Sequence, residues 1–494
     1  MGSEIRELTV PMADSPYYNA DIAPVPAAQR KWGKWDIAAL WVGMSVCIPT
    51  YMLAASLING GMNWWQAIVT IALGNLIVLV PMVLVAHAGT RYGVPFPVLA
   101  RSAFGLAGAH IPSVLRGIVA CGWFGIQTWI GGAAIHQMMA AGFDWWATLP
   151  VVDLGPVGAM SLGAWLGFAI FWLINVWIVW KGVESIRWME NLGAPFLIVI
   201  GLALLGWAWW KAGGLGPMLS RPSSFGSTGE FFGFFFPALT GMVGYWATLA
   251  LNIPDFTRYA RSQKDQVWGQ ALGLNTTMPL YAFIGVAVTS ATVVIFGREI
   301  WDPVELLAQF HSVPIVVLSM LGLAVATLTT NIAANVVAPA NALTNMAPKR
   351  ISFRSGGMIT AVVGILMMPW KLIADPSGYI FTWLIGYSAL LGPIAGVMIA
   401  DYFVVQRMEL DLADLYRDGR YTFSGGFNWK AVIALLAGIL PNVPGFLTTV
   451  GVADFGSFWN TLYTYAWFVG FAIAFVLHAV LMTRTSATRT EAAA

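Results

Sequence analysis

Charge is what this sequence has least of. Of its 494 residues, 10% are Asp, Glu, Lys or Arg, while 58% are hydrophobic. Soluble domains carry about 25% charged residues. So few charges do not coat a water-facing surface, and much of the outside must meet lipid. The formal net charge of +2 gives no reason to expect nucleic acid as a partner. The two cysteines, Cys47 and Cys121, lie in apolar stretches, which argues against a disulfide framework or a thiolate metal site. No Walker motif, nucleotide fingerprint or His/Cys metal spacing occurs in a suitable context, so ATP-driven transport by this chain is not expected. Nor is there a nucleophile, a metal set or a carboxylate pair at depth, and enzyme chemistry is not expected. The chain does not start as a signal peptide does. Residues 1–35, polar and interrupted by Pro24 and Pro26, read as a cytoplasmic tail, largely flexible.

What is abundant is apolar length. A helix needs about 20 mostly apolar residues to cross the hydrocarbon of a bilayer. Twelve runs qualify, near 36–58, 63–87, 111–139, 158–181, 189–211, 232–252, 276–297, 312–337, 356–374, 378–401, 429–449 and 457–483. The split of 356–401 into two rests on the polar break at Lys371, Asp375 and Pro376. With the N-terminus inside, the outer segments hold Lys211, Arg221, Arg298 and Lys371, and the inner ones hold the other 21 of the 25 Lys and Arg residues. This asymmetry predicts a multi-pass protein of the cell membrane with both termini cytoplasmic. Segment 97–110 is expected along the cytoplasmic interface, and the linker 401–429 as a solvated connector. Residues 484–494 would form a cytoplasmic tail.

The spans hold few charges at depth, which argues against a charged ligand and against a relay of buried carboxylates. They do hold neutral polar and aromatic groups. Trp123 and Gln127 are four residues apart and share a helix face. Trp123 lies too deep for an interfacial aromatic belt. The stretch Thr327 to Asn335 is unusually polar, with Asn331 and Asn335 again four apart. Side-chain amides present donors and an acceptor, complementary to the N–H and C=O edge of a cyclic amide or imide, while an indole offers a stacking face. Amides and hydroxyls in membrane helices also bond neighbouring helices, so the weight falls on the set. Thr329 and Thr330 offer adjacent hydroxyls, and a hard cation prefers oxygen ligands.

Two spans look interrupted. The first contains Gly43 and Pro49, and proline removes a helix hydrogen bond. The sixth contains Gly241 and Gly244, which permit unwinding. Both open a block of five spans, 36–211 and 232–401, and interrupted helices at matching places in two halves point to a transporter site. Gly and Pro are also simply common in membrane helices.

Several longer stretches then carry a resemblance: Asp36 to Trp41, Gly122-Trp123-Phe124-Gly125-Ile126-Gln127-Thr128-Trp129, Asn252 to Tyr259, Thr330-Asn331-Ile332-Ala333-Ala334-Asn335, and Gly392 to Tyr402. In these the sequence resembles nucleobase–cation symporter family 1, which includes hydantoin, allantoin, uracil and cytosine permeases. The resemblance implies an all-α integral membrane protein with a LeuT-type inverted five-plus-five repeat and two further helices over 429–483. It implies that Trp123 and Trp246 stack on the two faces of a substrate ring and that Gln127 and Asn335 bond its edge. It implies a sodium site from backbone carbonyls of Gly43, Val46 and Ala326 and the hydroxyls of Thr329 and Thr330. Where hydantoin permeases have a glutamine and a glycine beside the ligand, this sequence has Cys47 and Tyr245, which favours allantoin, uracil or a related ureide over a bulky hydantoin. Arg116 and Asp255, at cytoplasmic helix ends, are candidates for an inner latch. Proton coupling, another nucleobase (cytosine or a purine) and a non-transporting sensor are the alternatives.

Overall fold

The computed structural model describes residues 5–181, 183–374 and 378–491, without the side chains of 183–194, 196–197 and 484–491. Asp375 and Pro376, invoked for the break between spans nine and ten, lie outside the described residues, and so do the side chains of Arg187, Arg484 and Arg489. Among the described residues nine helices are long and apolar enough to cross a membrane, and a bent pair, Lys34–Ser45 with Ile48–Asn59, makes a tenth. The remaining two expected spans, five and nine, correspond to the shorter apolar helices Ile198–Lys211 and Phe353–Leu366. Large apolar side chains face outward on these helices, among them Trp177, Leu280, Leu318 and Leu366, as lipid contact demands. Among the described residues the only sheet is a two-stranded hairpin before span four, Val151–Asp153 against Ala159–Ser161, with Val151 opposite Ser161.

Helix ends follow local chemistry. Asn63 accepts from the Gln66 amide while Gln66 reaches back to the Asn63 N–H, a reciprocal cap that starts Trp64–Tyr92. Ser262 starts Gln263–Phe296 by accepting from Asp265 N. Span one bends by 60° at its break. Cys47 is extended there (φ −149°, ψ 160°), and Pro49 falls in the first turn of the second half, where its missing N–H costs nothing. Span six departs from expectation. It runs without interruption over Thr228–Asn252, and its glycines serve close packing instead. A Cβ on Gly244 would stand 2.8 Å from Leu384 O.

Spans one, two, six and seven pack on one another, and spans three, four and eight pack on one another. Span twelve is tied to the end of span ten by a fully buried pair, His478 Nε2 to Asp401 Oδ1 at 3.3 Å. Ser102 Oγ donates to the other Asp401 oxygen at 3.2 Å.

Three segments expected at the surface are packed. Every residue of helix Phe96–Phe104 is buried. The linker after span ten buries Leu410, Leu412, Leu415, Tyr416 and Tyr421, and is not a solvated connector. Residues 5–33 are not a loose tail either. Arg30 is 3% exposed and donates to Val25 O (2.8 Å), Arg91 O (3.1 Å), Thr90 O (3.2 Å) and Arg6 O (2.9 Å). Burial lowers its pKa to about 10, so it is still charged at neutral pH. Farther along, Trp32 exchanges backbone bonds with Tyr259 and Arg261. Asn19 donates to Pro348 O at 2.7 Å, and Tyr416 Oη donates to Ile22 O at 2.7 Å. Such contacts are invisible to composition, because the segment uses backbone carbonyls as its acceptors.

Arg30→Ala strands several of those carbonyls. A hydrogen bond to a charged donor is worth about 1.5–3 kcal/mol, so the variant is expected to lose about 3 kcal/mol or more and to melt several degrees lower in detergent. An unchanged melting curve would show that the segment does not brace the bundle.

Candidate functional site

Inside the bundle, the break in span one, the middle of span three, the middle of span six and the end of span eight meet at a small cavity of about 40 Å³. Its wall includes Met44, Cys47 and Pro49 from the break, Trp123 and Gln127 from span three, and Tyr245, Trp246, Thr248 and Leu249 from span six. Thr330, Ala334 and Asn335 complete it from span eight. All six residues singled out for the cargo, Cys47, Trp123, Gln127, Tyr245, Trp246 and Asn335, therefore stand on one cavity. They do so because residues four apart on a helix share a face, and because span eight packs against span three.

Trp123 is ringed by aromatics, all edge-on: Tyr245 at 5.5 Å, Trp383 at 5.9 Å, Tyr379 at 6.2 Å and Tyr387 at 6.4 Å between centroids. Three of these come from the start of span ten, whose first turns, Gly378–Leu384, are π-helical. Gly122 makes room for them, since a Cβ there would lie 2.3 Å from the Trp383 ring. Tyr379 Oη donates to Pro49 O at 3.3 Å, joining span ten to the break in span one. Tyr379 is not among the residues that the sequence motifs pick out. The only signal for it is an aromatic residue one turn before Trp383.

The polar inventory is uneven. Gln127 Oε1 is buried and has no partner among the described residues. An unmet buried polar atom costs about 1–3 kcal/mol, so each calls for an explanation, a bound group among them. Trp246, by contrast, is fixed. Its Nε1 donates to Asn75 Oδ1 at 3.1 Å, and Trp41 packs edge-on to it at 5.1 Å. Asn335 Nδ2 donates to Asn331 Oδ1 at 3.0 Å. Asn331 Nδ2 in turn lies 3.2 Å from Phe124 O, 3.2 Å from Thr128 Oγ1 and 3.1 Å from Asn175 Oδ1. Asn331 thus faces spans three and four and not the cavity. Positions four apart on a helix are offset by about 40°, enough to separate an amide that lines the cavity from one that positions it.

Of the residues considered for a cation, the three on span eight share one carbonyl oxygen. Thr329 Oγ1 donates to Ala326 O at 2.7 Å, and Thr330 Oγ1 to the same oxygen at 3.2 Å. Across from them, span one lies against span eight. At its break the Cys47 amide bonds Ser45 O at 3.1 Å and so turns away from the Gly43 carbonyl four residues back. Val46 caps the first half-helix, its N–H on Val42 O. The donor set is made of neutral oxygens, and no group of three or more His, Cys, Asp or Glu residues suited to a metal occurs among the described residues.

Arg116 and Asp255 do not form the expected latch with each other. Both are buried, and no ion pair joins them among the described residues. Arg116 instead holds span six directly, with Nε 2.9 Å from Thr248 O and Nη2 2.8 Å from Asn252 Oδ1. Asp255 Oδ1 accepts from Phe96 N at 3.0 Å, at the start of the buried helix Phe96–Phe104. Asparagine and a backbone carbonyl thus take the role expected of a carboxylate.

Residues 24–470 match the family described as permeases for cytosine/purines, uracil, thiamine and allantoin. The chain belongs to the nucleobase–cation symporter family. It is 47% identical to a purine-uracil permease of Arabidopsis thaliana, over 98% of this chain and 81% of that one. It is 39% identical to the allantoin permease of Bacillus subtilis, over 94% of this chain and 93% of the other. Among solved structures it resembles Mhp1, a transporter of the same family captured in a closed conformation with bromovinylhydantoin bound. The match has a TM-score of 0.77, is 28% identical and covers 96% of each chain. A sodium-coupled sialic acid symporter, 12% identical with a TM-score of 0.57, shares the fold. This permease is therefore a membrane transporter of LeuT-type fold and not an enzyme.

Asn331→Ala removes the residue that orients Asn335. It is expected to cost about 2 kcal/mol, as unsatisfied buried amides do, and to appear as a lowered melting temperature. Full stability would mean that Asn175 and Asn335 find other partners.

Proposed function

We propose that this permease is a secondary symporter that imports a small neutral nitrogen heterocycle, with allantoin, uracil or an unsubstituted hydantoin as the favoured cargo and sodium as the coupling ion. The observation that carries the reading is the unpaired Gln127 Oε1 beside an indole in a buried cavity. An acceptor with no partner, next to a stacking face, suits the N–H edge of a lactam or imide ring. Asn335, with one N–H spent on Asn331, keeps its carbonyl oxygen and second N–H for the same edge. Trp123 would stack on one ring face and Trp246 would back the other, with Cys47 and Tyr245 closing the wall. The Arabidopsis and Bacillus relatives, named for purine-uracil and allantoin, support this cargo class.

Sodium would be held by the carbonyls of Gly43, Val46 and Ala326 with the hydroxyls of Thr329 and Thr330. Rotation of each threonine hydroxyl away from Ala326 O would turn oxygen lone pairs toward the ion. Such a site ties the break in span one to span eight, so ion and cargo each favour the same arrangement of the two spans, and their affinities rise together. Alternating access then follows if spans one, two, six and seven rock against the others while Tyr379, Trp383 and Tyr387 move with span ten over Trp123. On this reading both termini face the cytoplasm, and Arg116 on Asn252 holds the inner side closed.

Gln127→Ala and Asn335→Ala are expected to abolish saturable uptake of radiolabelled cargo in vesicles while the protein stays in the membrane. Wild-type KM values in both would remove the site. Thr330→Ala is expected to raise the sodium concentration needed for half-maximal uptake by about tenfold or more before the melting temperature changes, since one lost ligand bond of about 1.4 kcal/mol is a factor of 10. Uptake that ignores sodium and follows an imposed pH gradient would replace sodium with the proton.

A further inference from the structure

Tyr245 meets both stacking indoles. Its ring is edge-on to Trp123 at 5.5 Å and to Trp246 at 4.8 Å. It starts from span six and ends on span one, because its hydroxyl lies 3.0 Å from Thr50 Oγ1 and 3.4 Å from Cys47 Sγ. Cys47 Sγ and Thr50 Oγ1 are themselves 3.3 Å apart. The side chain therefore bridges two walls of the cavity. Neither end has slack. At the backbone end, span six is pressed on span ten at Gly244, where a Cβ would meet Leu384 O at 2.8 Å. At the other end Thr50 is fully buried.

The hydrogen count decides what such a residue does. A phenol, a hydroxyl and a thiol each carry one hydrogen and can accept at least one. Three of them in a closed triangle satisfy one another by donating in a ring. The Tyr245 hydroxyl is then spent on Thr50 and Cys47, and little of it is left to recognise cargo. Its contribution to the cavity is bulk.

We infer that Tyr245 is a size filter, held across the cavity by Thr50, that admits a bare or minimally substituted single ring and rejects one carrying an aryl substituent. This rests on the cargo site proposed above and names the class of cargo it accepts. Thr50, which does not line the cavity, is a positioning residue. It acts by fixing the angle of the Tyr245 ring.

Binding to the purified full-length protein, followed by its tryptophan fluorescence, tests this with uracil, allantoin, hydantoin and 5-benzylhydantoin. The wild-type protein is expected to prefer hydantoin over the benzyl derivative by more than about tenfold, the scale on which pocket bulk discriminates. Tyr245→Ala should reduce that preference at least tenfold. Tyr245→Phe and Thr50→Val both remove the bond between Tyr245 and Thr50, and Tyr245→Phe also loses the contact with Cys47. Both should relax the preference less than Tyr245→Ala, and the two combined no more than Tyr245→Phe alone, as for members of one interaction. Thr50→Ser should restore it. A Tyr245→Ala protein that melts normally, binds hydantoin and keeps the wild-type preference overturns the filter. So does a wild-type protein that binds both hydantoins equally. Gln127→Ala separates the two ideas. If it abolishes binding while Tyr245→Ala leaves the preference untouched, the site stands and the filter falls. If it leaves all binding intact, or if the wild type binds none of the four compounds, the site falls and the filter with it.

Discussion

Where span one turns through 60° between Ser45 and Ile48, a helix releases backbone groups inside a segment that must cross an apolar medium. Lipid offers no hydrogen bonds, so irregular backbone is tolerated at such depth only when protein surrounds it or a cavity meets it. Much of the interior can be read as a response to that requirement. Span eight brings Thr329 and Thr330 to the side of the break. Span ten sends Tyr379 to the Pro49 carbonyl, and span six sends Tyr245 to Cys47 and Thr50. The cavity lies where spans three, six and eight meet that defect in span one.

Convergence of that kind needs support behind it. The amide chain from Asn335 through Asn331 to Asn175 sets the orientation of a cavity residue from outside the cavity. A buried network is stable when every member is satisfied, and a partly satisfied one is costly. Here Asn331 is well supplied, while Gln127 Oε1, on the cavity wall, has no partner among the described residues.

The end of the bundle that carries the N-terminal segment shows a different economy. Arg30, Arg101 and Arg116 are all buried, and all bond neutral oxygens instead of carboxylates. Arg101 bonds Asn345 Oδ1, Leu415 O and Tyr17 O. Several carbonyls around one guanidinium match its fixed fork of five donors, and they do so without a second charge to desolvate. This brings together residues 5–33, helix Phe96–Phe104 and the linker after span ten, three segments whose polarity alone suggested solvent.

Hydropathy alone was enough to read twelve apolar runs, because a bilayer imposes a length and an apolarity that composition displays directly. Helical periodicity was enough to pair Trp123 with Gln127, because a four-residue spacing is a property of one helix. The bent first span was legible too, since a proline suits the first turn of a helix and not the interior of a long one. The continuity of span six was not, because glycine serves unwinding and close packing equally well, and the neighbour at Leu384 chooses between them. The different duties of Asn331 and Asn335 were hidden for the same reason. A spacing places two amides on one side of a helix, and only the helices packed beside it decide which amide meets a cavity and which meets a partner. Tertiary contact also decided the partners of Arg116 and the docking of residues 5–33 onto the bundle, since backbone carbonyls, which every residue carries, leave no mark in a sequence.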